Sequence, residues 1–259
     1  MKQNFAESLP DPSRMVHALS QIGYRLEDAV ADLVDNSLTA GASSVLIRFL
    51  HDGDKLISLA IADDGSGMTS PALEDAMRFG SKEDKRSEVL SKFGMGLKLA
   101  SLSHCNAFTV YTRRNRRSAA RHWSVENISA GWLLEQIPAV ASREVMREEW
   151  ADLDLERNGT IVFWDRLKGF PQHKRGLRSA LSLVERRLRL HLGLTFHRFI
   201  ERGALSIKID QQLVGRRTRP FHIEIDPLNP FNYPASGSNC FPMTMETDEI
   251  DGIGKLQFD

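Results

Sequence analysis

Apolar positions open the chain at helical spacing: Met15, Ala18, Leu19 and Ile22, then Leu26, Ala29, Val30, Leu33 and Val34. Gly23 and Tyr24 interrupt the run, so two helices are expected, the second from about Leu26 to Leu38 with Gly41 as its stop. The period then falls to two. Residues 43–50 (SSVLIRFL) and 56–64 (LISLAIADD) read as strands joined by a turn at His51-Asp52-Gly53-Asp54, a hairpin that delivers Asp63 and Asp64 to a strand end. The loop DDGSGM leads into a short helix around Pro71 to Arg78. Residues 80–91 are polar and charged without apolar anchors, and KFGMGLKLASLSHC after them predicts a helix over Leu97–Ser103. AFTVYTRR, RHWSVENI and GTIVFWDRL alternate like strands, and residues 144–157 between the last two are a charged helix or loop.

Near Gly169 the pattern changes. Residues Arg175 to Leu194 form a strongly basic amphipathic helix, ALSIKID, QLVG and HIEID read as short strands, and residues 227–239 are rich in Pro, Asn and Ser. The order of elements predicts a two-layer α/β sandwich over residues 1–168 and a second α/β domain over 169–259. The last stretch, IDGIGKLQFD, ends without a cap, so the second domain is expected to be incomplete.

Composition narrows the class. The 259 residues include 41% hydrophobic side chains and two cysteines, enough for a packed core and unlike a disordered, collagenous or disulfide-stapled chain. Cys105 and Cys240 lack metal-ligand spacing, and reduced thiols are expected. There is neither a secretory-type start nor a run of roughly 18 apolar residues, which predicts a cytoplasmic protein without a membrane span. The 34 bases and 34 acids cancel, but unevenly: the net charge is −4 over residues 1–100, −1 over 101–165, +11 over 166–219 and −6 over 220–259. The basic block is a candidate contact for a polyanion.

Four short groups carry the candidate chemistry. Asp32 and Asn36, four apart on a helix, share one face, where a carboxylate can polarise water and an amide oxygen can ligate a hard cation such as magnesium. Asp63 to Met68 (DDGSGM) place a carboxylate at a strand end, able to accept from an exocyclic amine, beside Gly65 and Gly67, which permit a sharp backbone. Lys92 to Lys98 (KFGMGLK) open a helix whose N-terminal amides suit phosphate, with Lys98 as an added point charge. Asn158-Gly159-Thr160 lead a strand.

Together and in this order, the four groups resemble those of the GHKL ATPases, which include gyrase B subunits, ninety-kilodalton heat-shock chaperones, histidine kinases and MutL. ADLVDNSLTAGA is close to the MutL and MORC forms, and FGSKEDKRSEVLSKFGMGLKLASL looks most like the lid and glycine box of MORC proteins. The resemblance covers roughly residues 15–166. It implies the Bergerat ATP-binding fold, followed by a transducer-like domain, with ATP and magnesium as ligands. Asn36 would hold the magnesium. Asp63 would read adenine, with Gly65, Gly67 and Met68 around the base and Thr160 supporting Asp63. Lys92, Phe93, Gly94, Met95, Gly96, Leu97 and Lys98 would line the phosphates under a lid at 80–91. Asp32 would be the general base where the family has Glu, one methylene shorter, so slow hydrolysis is expected. Thr39 stands where MutL proteins carry Asp. Lys208 and Lys255 are candidates for the transducer lysine.

The resemblance implies an ATP-driven switch that closes, forms a homodimer and acts on DNA, the basic block 166–219 being the candidate DNA contact. Two alternatives stand beside it: a histidine-kinase-type catalytic module and an ATP-gated protein-binding module without turnover.

Overall fold

The computed structural model describes residues 10–21, 23–79, 96–215 and 221–230, with the backbone of two short strand segments at 245–246 and 257–258. In chain order the elements are α1 (Pro12–Ser20), α2 (Leu26–Thr39), β1 (Ser44–His51), β2 (Leu56–Asp63), α3 (Ser70–Met77), α4 (Gly96–His104), β3 (Cys105–Arg114), β4 (Arg117–Ser124), α5 (Val125–Ser129), β5 (Glu135–Ile137), α6 (Ala139–Val145), β6 (Gly159–Leu167), α7 (Lys174–Thr195), α8 (His197–Glu201), β7 (Ser206–Leu213), β8 (His222–Glu224), β9 (Met245–Glu246) and β10 (Gln257–Phe258). Side-chain caps set several starts. Asp11 accepts from the Arg14 amide at 2.8 Å ahead of Pro12, and Thr69 caps α3 ahead of Pro71. Ser124 accepts from the Asn127 amide at 3.1 Å, which is why RHWSVENI, expected as one strand, turns into α5 at Val125.

Eight strands form one open sheet in the order β5-β4-β3-β6-β2-β1-β7-β8, and β9 pairs with β10 separately. All neighbours in the large sheet are antiparallel except β1 and β7, which run parallel from Ser44↔Ser206 to His51↔Leu213. The larger core lies on the face covered by α2, α4 and α7, where Val30, Val34, Val45, Phe108, Val110 and Trp164 are buried together. A smaller cluster on the reverse face joins Leu46, Ala60, Ala62 and Ile161 to Met146, Trp150 and Leu155. The expected α/β sandwich is therefore present, with a second apolar patch on its back.

The boundary expected at 169 does not divide this core. Leu177, Leu181, Leu188 and Leu192, a buried stripe at helical spacing on α7, belong to the same cluster as Val30 and Val34 of α2. Ile207 and Ile209 of β7 join it too, because β7 extends the sheet beside β1. A basic helix reports its solvent face, and its apolar stripe here serves the first sheet. QLVG is also not separate: β7 continues through Gln211 and Gln212 to Leu213. Among the described residues no helix is long and apolar enough to cross a membrane.

Candidate functional site

Asp63 is the last residue of β2 and is 6% exposed. Its Oδ1 accepts from the Gly65 amide at 2.9 Å, and the Ser37 hydroxyl lies 3.0 Å from its Oδ2 and 3.0 Å from the Leu33 carbonyl. Burial pushes the carboxyl up to about 6, while the Gly65 N–H and Ser37 hydroxyl pull it down. No cation pairs with it among the described residues. A carboxylate fixed by neutral donors at a strand end keeps acceptor capacity for a donor from outside the protein.

The strands beside Asp63 build the rest of its floor. Asp63 pairs with Thr160 across β2 and β6, and Thr160 pairs with Thr112 across β6 and β3, so the three side chains share the face toward α2. Thr112 Oγ1 accepts from the Met68 amide at 2.8 Å, donates to the Gly159 carbonyl at 3.1 Å and lies 3.4 Å from Thr160 Oγ1. Thr112 thus ties the Gly67-Met68 loop to the Gly159-Thr160 strand start. Gly67 has φ 60°, and a Cβ there would stand 1.9 Å from the Arg113 carbonyl oxygen. Only glycine lets this loop lie flat on β3. At Gly65 a Cβ would meet Asp63 Oδ1 at 2.9 Å and the Ala40 Cβ at 3.0 Å.

The helix side comes from α2 and α4, which pack together. Asp32 is half-buried, and its Oδ2 lies 3.8 Å from where a Cβ on Gly96 would sit, so the carboxylate faces the first turn of α4. The Tyr24 hydroxyl donates to Asp32 Oδ2, and burial, reinforced by that bond, pushes the Tyr24 phenol up to about 12. Asn36, one turn on, is exposed, with an oxygen donor free for a hard cation that keeps waters of its own. One amide oxygen is compatible with magnesium, which takes few protein ligands and keeps most of its waters. Gly96 and Leu97 are the first described residues of α4, and the positive dipole end of a helix favours phosphate oxygens. Lys92, Phe93, Gly94 and Met95, the lid at 80–91, Lys255 and Cys240 lie outside the described residues.

Lys98 departs from expectation. It is 1% exposed, and its ammonium donates to the carbonyls of Ala76 and Arg78 at 2.7 Å each, over the Phe79 ring. Burial pulls its amine down to about 8, with Asp75 acting in the opposite sense. In this structure Lys98 closes the end of α3 through these two carbonyls and does not stand as an exposed point charge. Lys208 sits in register with Leu46 on the reverse face and pairs with Asp152 at 2.7 Å. Asp64 is structural: it accepts from the Ser43 and Ser44 amides at 2.8 and 2.9 Å and from the Ser43 hydroxyl at 2.6 Å. Ser37, Tyr24 and Thr112 were not singled out in the sequence. Ser37 follows Asn36 directly, and Tyr24 breaks the first helical run, but nothing local marks Thr112.

With these groups placed, comparison with known proteins is direct. The sequence profile of the histidine kinase-, DNA gyrase B- and HSP90-like ATPases matches residues 24–160, more than half of the chain. The chain belongs to this family, the GHKL ATPases. It is similar to the DNA mismatch repair protein MutL of Dictyoglomus thermophilum, 37% identical over 86 residues, 32% of this chain and 14% of that protein. Putative MutL protein homolog 1 of Schizosaccharomyces pombe is 39% identical over 101 residues, 37% of this chain and 14% of its own length. Protein MICRORCHIDIA 6 of Arabidopsis thaliana is 29% identical over 92 residues, 34% of this chain and again 14% of the relative. The chain thus spans about a seventh of these relatives, and family membership supports ATP binding in a MutL- or MORC-like module.

Proposed function

We propose that this chain binds magnesium-ATP between α2, the Asp63 strand end and the start of α4, and that binding drives lid closure and dimerisation of a MutL- or MORC-like switch with slow hydrolysis. The observation that carries the reading is Asp63: a buried carboxylate with no cation partner among the described residues, fixed by Ser37 of α2 and by Gly65 beside Thr160. Asp63 accepts from the adenine amine, and Thr112 and Thr160 hold the strand ends under the base. The amides of Gly96 and Leu97 bind phosphate oxygens, and the Asn36 oxygen ligates the magnesium. Magnesium, when bound, neutralises phosphate charge. Tyr24 orients Asp32 through Oδ2, leaving Oδ1 to take a proton from water.

Titration with a non-hydrolysable ATP analogue and magnesium, with molecular mass followed by light scattering, tests this. One nucleotide per chain and a doubling of mass are expected; no affinity removes the reading, and affinity without a mass change removes the dimer. A second reading, an ATP-gated module without turnover, is favoured by the short reach of Asp32 and by Tyr24 on one of its oxygens, since misplacing a water by about 1 Å costs on the order of a hundredfold in rate. Phosphate release that Asp32→Ala abolishes while nucleotide binding persists supports hydrolysis. No release from the unaltered chain supports the second reading. Association with DNA completes the proposal. The described bases of 166–219 are spread along α7 and its neighbours, and Arg166, Arg187, Arg189 and Lys208 already pair with acids.

A further inference from the structure

The reverse face of the sheet holds a different concentration of charge. Arg113, Arg116, Arg143 and Arg147 line a concavity of about 400 Å³ whose wall contains a single acid, Glu156. Beside it a second hollow of about 290 Å³ is lined by Asn115, Arg116 and Arg157. Arg113 is 4% exposed. Its Nε donates to Ser118 Oγ at 2.9 Å, Nη1 to the Leu155 carbonyl at 2.8 Å and Nη2 to the Arg143 carbonyl at 3.2 Å. Every one of those acceptors is neutral. None of the four arginines has an ion-pair partner among the described residues. Burial and repulsion from Arg147 and Arg143 depress the proton affinity of Arg113, with Glu156 opposing.

The cluster is built, not a chance meeting of long side chains. The β3–β4 turn is fixed where the Asn115 amide donates to Asn158 Oδ1 at 2.9 Å and the Arg116 amide donates to the Arg157 carbonyl at 2.9 Å. Arg116 occupies a turn position with φ 65°, which glycine or asparagine adopts at less cost. Like charges gathered around a buried guanidinium are unfavourable until an anion joins them. Several planar forks converging on one hollow match an oxyanion with more than one negative charge better than a carboxylate.

We propose that this cavity is a phosphate-binding pocket, engaging either the backbone phosphates of a nucleic acid or a free polyphosphate. It goes beyond the nucleotide site, lies on the other face of the sheet and uses none of its residues. It also assigns the polyanion contact to the β3–β4 turn and the end of α6 in place of the 166–219 block, whose described bases are spread along α7 and its neighbours.

The test has two probes, a short fluorescein-labelled DNA duplex read by anisotropy at low salt and pyrophosphate read by calorimetry. Each is applied to the unaltered chain, to Arg143→Gln with Arg147→Gln, and to Arg178→Gln with Arg186→Gln on α7. Expected are a loss of about tenfold or more in affinity for both probes in the first pair, and a fall of about two in the slope of log affinity against log salt for the duplex. The α7 pair should stay within about twofold, which separates this pocket from the basic block. Arg116→Gln, at the exposed turn, gives the same reading if the first pair does not fold. Pyrophosphate binding that disappears in these variants, from a chain that does not bind duplex, supports the pocket with a free polyphosphate as its ligand. Binding of neither probe, or binding unchanged in the Arg143 and Arg147 variant, overturns the proposal.

Discussion

Two acids are buried on opposite faces of this sheet, and they are buried in opposite ways. Asp210 of β7 meets Arg48 of β1 on the reverse face, with Nε and Nη2 donating to its two oxygens at 2.9 and 2.7 Å. The third nitrogen of Arg48 donates to the Glu149 carbonyl at 2.7 Å, and the guanidinium stacks 4.9 Å from the Trp150 ring centroid. That pair closes on itself and leaves nothing to offer a ligand. Asp63, on the other face, has no cation partner among the described residues and is held by an amide and a hydroxyl. A charge neutralised inside the fold is scaffold; a charge buried with only neutral partners is held ready for something that arrives. Arg113 belongs with Asp63 in this respect, with the sign reversed.

The largest expected effect comes from breaking the closed pair. Asp210→Ala leaves Arg48 buried without its counter-ion and should cost about 3–5 kcal/mol in urea unfolding, without altering nucleotide affinity of the folded chain. Next is Gly67→Ala, which puts a Cβ 1.9 Å from the Arg113 carbonyl at a left-handed φ. Overpacking and strain together should cost about 2–4 kcal/mol and lower nucleotide affinity, because the Met68 loop must lift from Thr112. Asp63→Asn should do the reverse of Asp210→Ala. Calorimetry should show a nucleotide affinity lower by about 2–3 kcal/mol, since an amide now faces the adenine amine, while stability at neutral pH is unchanged or higher. A stability loss matching that of Asp210→Ala would erase the distinction between the two acids.

Titration sharpens the same contrast. The folded-state value for Asp63, about 6, is above the ordinary carboxylate value of 3.8, so between these pH values the folded chain holds a proton that the unfolded chain has released. Stability from this group is therefore fully present below about 4 and is lost as pH rises through about 6. Nucleotide binding should move the other way and weaken below about 6, because the protonated carboxyl loses an acceptor. Unfolding and binding followed from pH 4 to pH 8 on the unaltered chain and on Asp63→Asn isolate the contribution, and a variant that keeps both dependences assigns them to another group.

Much of the nucleotide half was legible because its signals are local. The change of period from α2 to the β1–β2 hairpin fixes where Asp63 falls, and i, i+4 spacing puts Asp32 and Asn36 on one side of α2. What was not legible depends on register across strands. Thr112 is one alternating residue in AFTVYTRR until β3 lies beside β6 and brings it to Thr160. The parallel pairing of β7 with β1 joins segments more than 150 residues apart, and no composition change near 169 can report it. Lys98 reads as a phosphate ligand from its place after the glycines, but its buried ammonium bonds to carbonyls at the end of α3. The arginine pocket was hidden in arithmetic: residues 101–165 sum to −1, although Arg113, Arg114, Arg116 and Arg117 fall within five positions. Only the fold separates them from the acids of the same segment.

The smallest effect is expected where the sequence showed its largest charge. Arg187 of α7 lies 3.8 Å from Glu27 of α2, with 58% of its side chain exposed. A pair of this length whose guanidinium is mostly in water gains little Coulomb energy, and salt screens part of it. What holds α7 on α2 is the buried stripe of Leu177, Leu181, Leu188 and Leu192, to which the pair adds little. Arg187→Gln should therefore change the unfolding free energy by less than about 0.5 kcal/mol, with the difference shrinking further as salt is added. Leu188→Ala on the same helix should cost about 2–5 kcal/mol. Equal losses in urea unfolding for the two variants would mean that charge, and not the leucine stripe, docks this helix on the sheet.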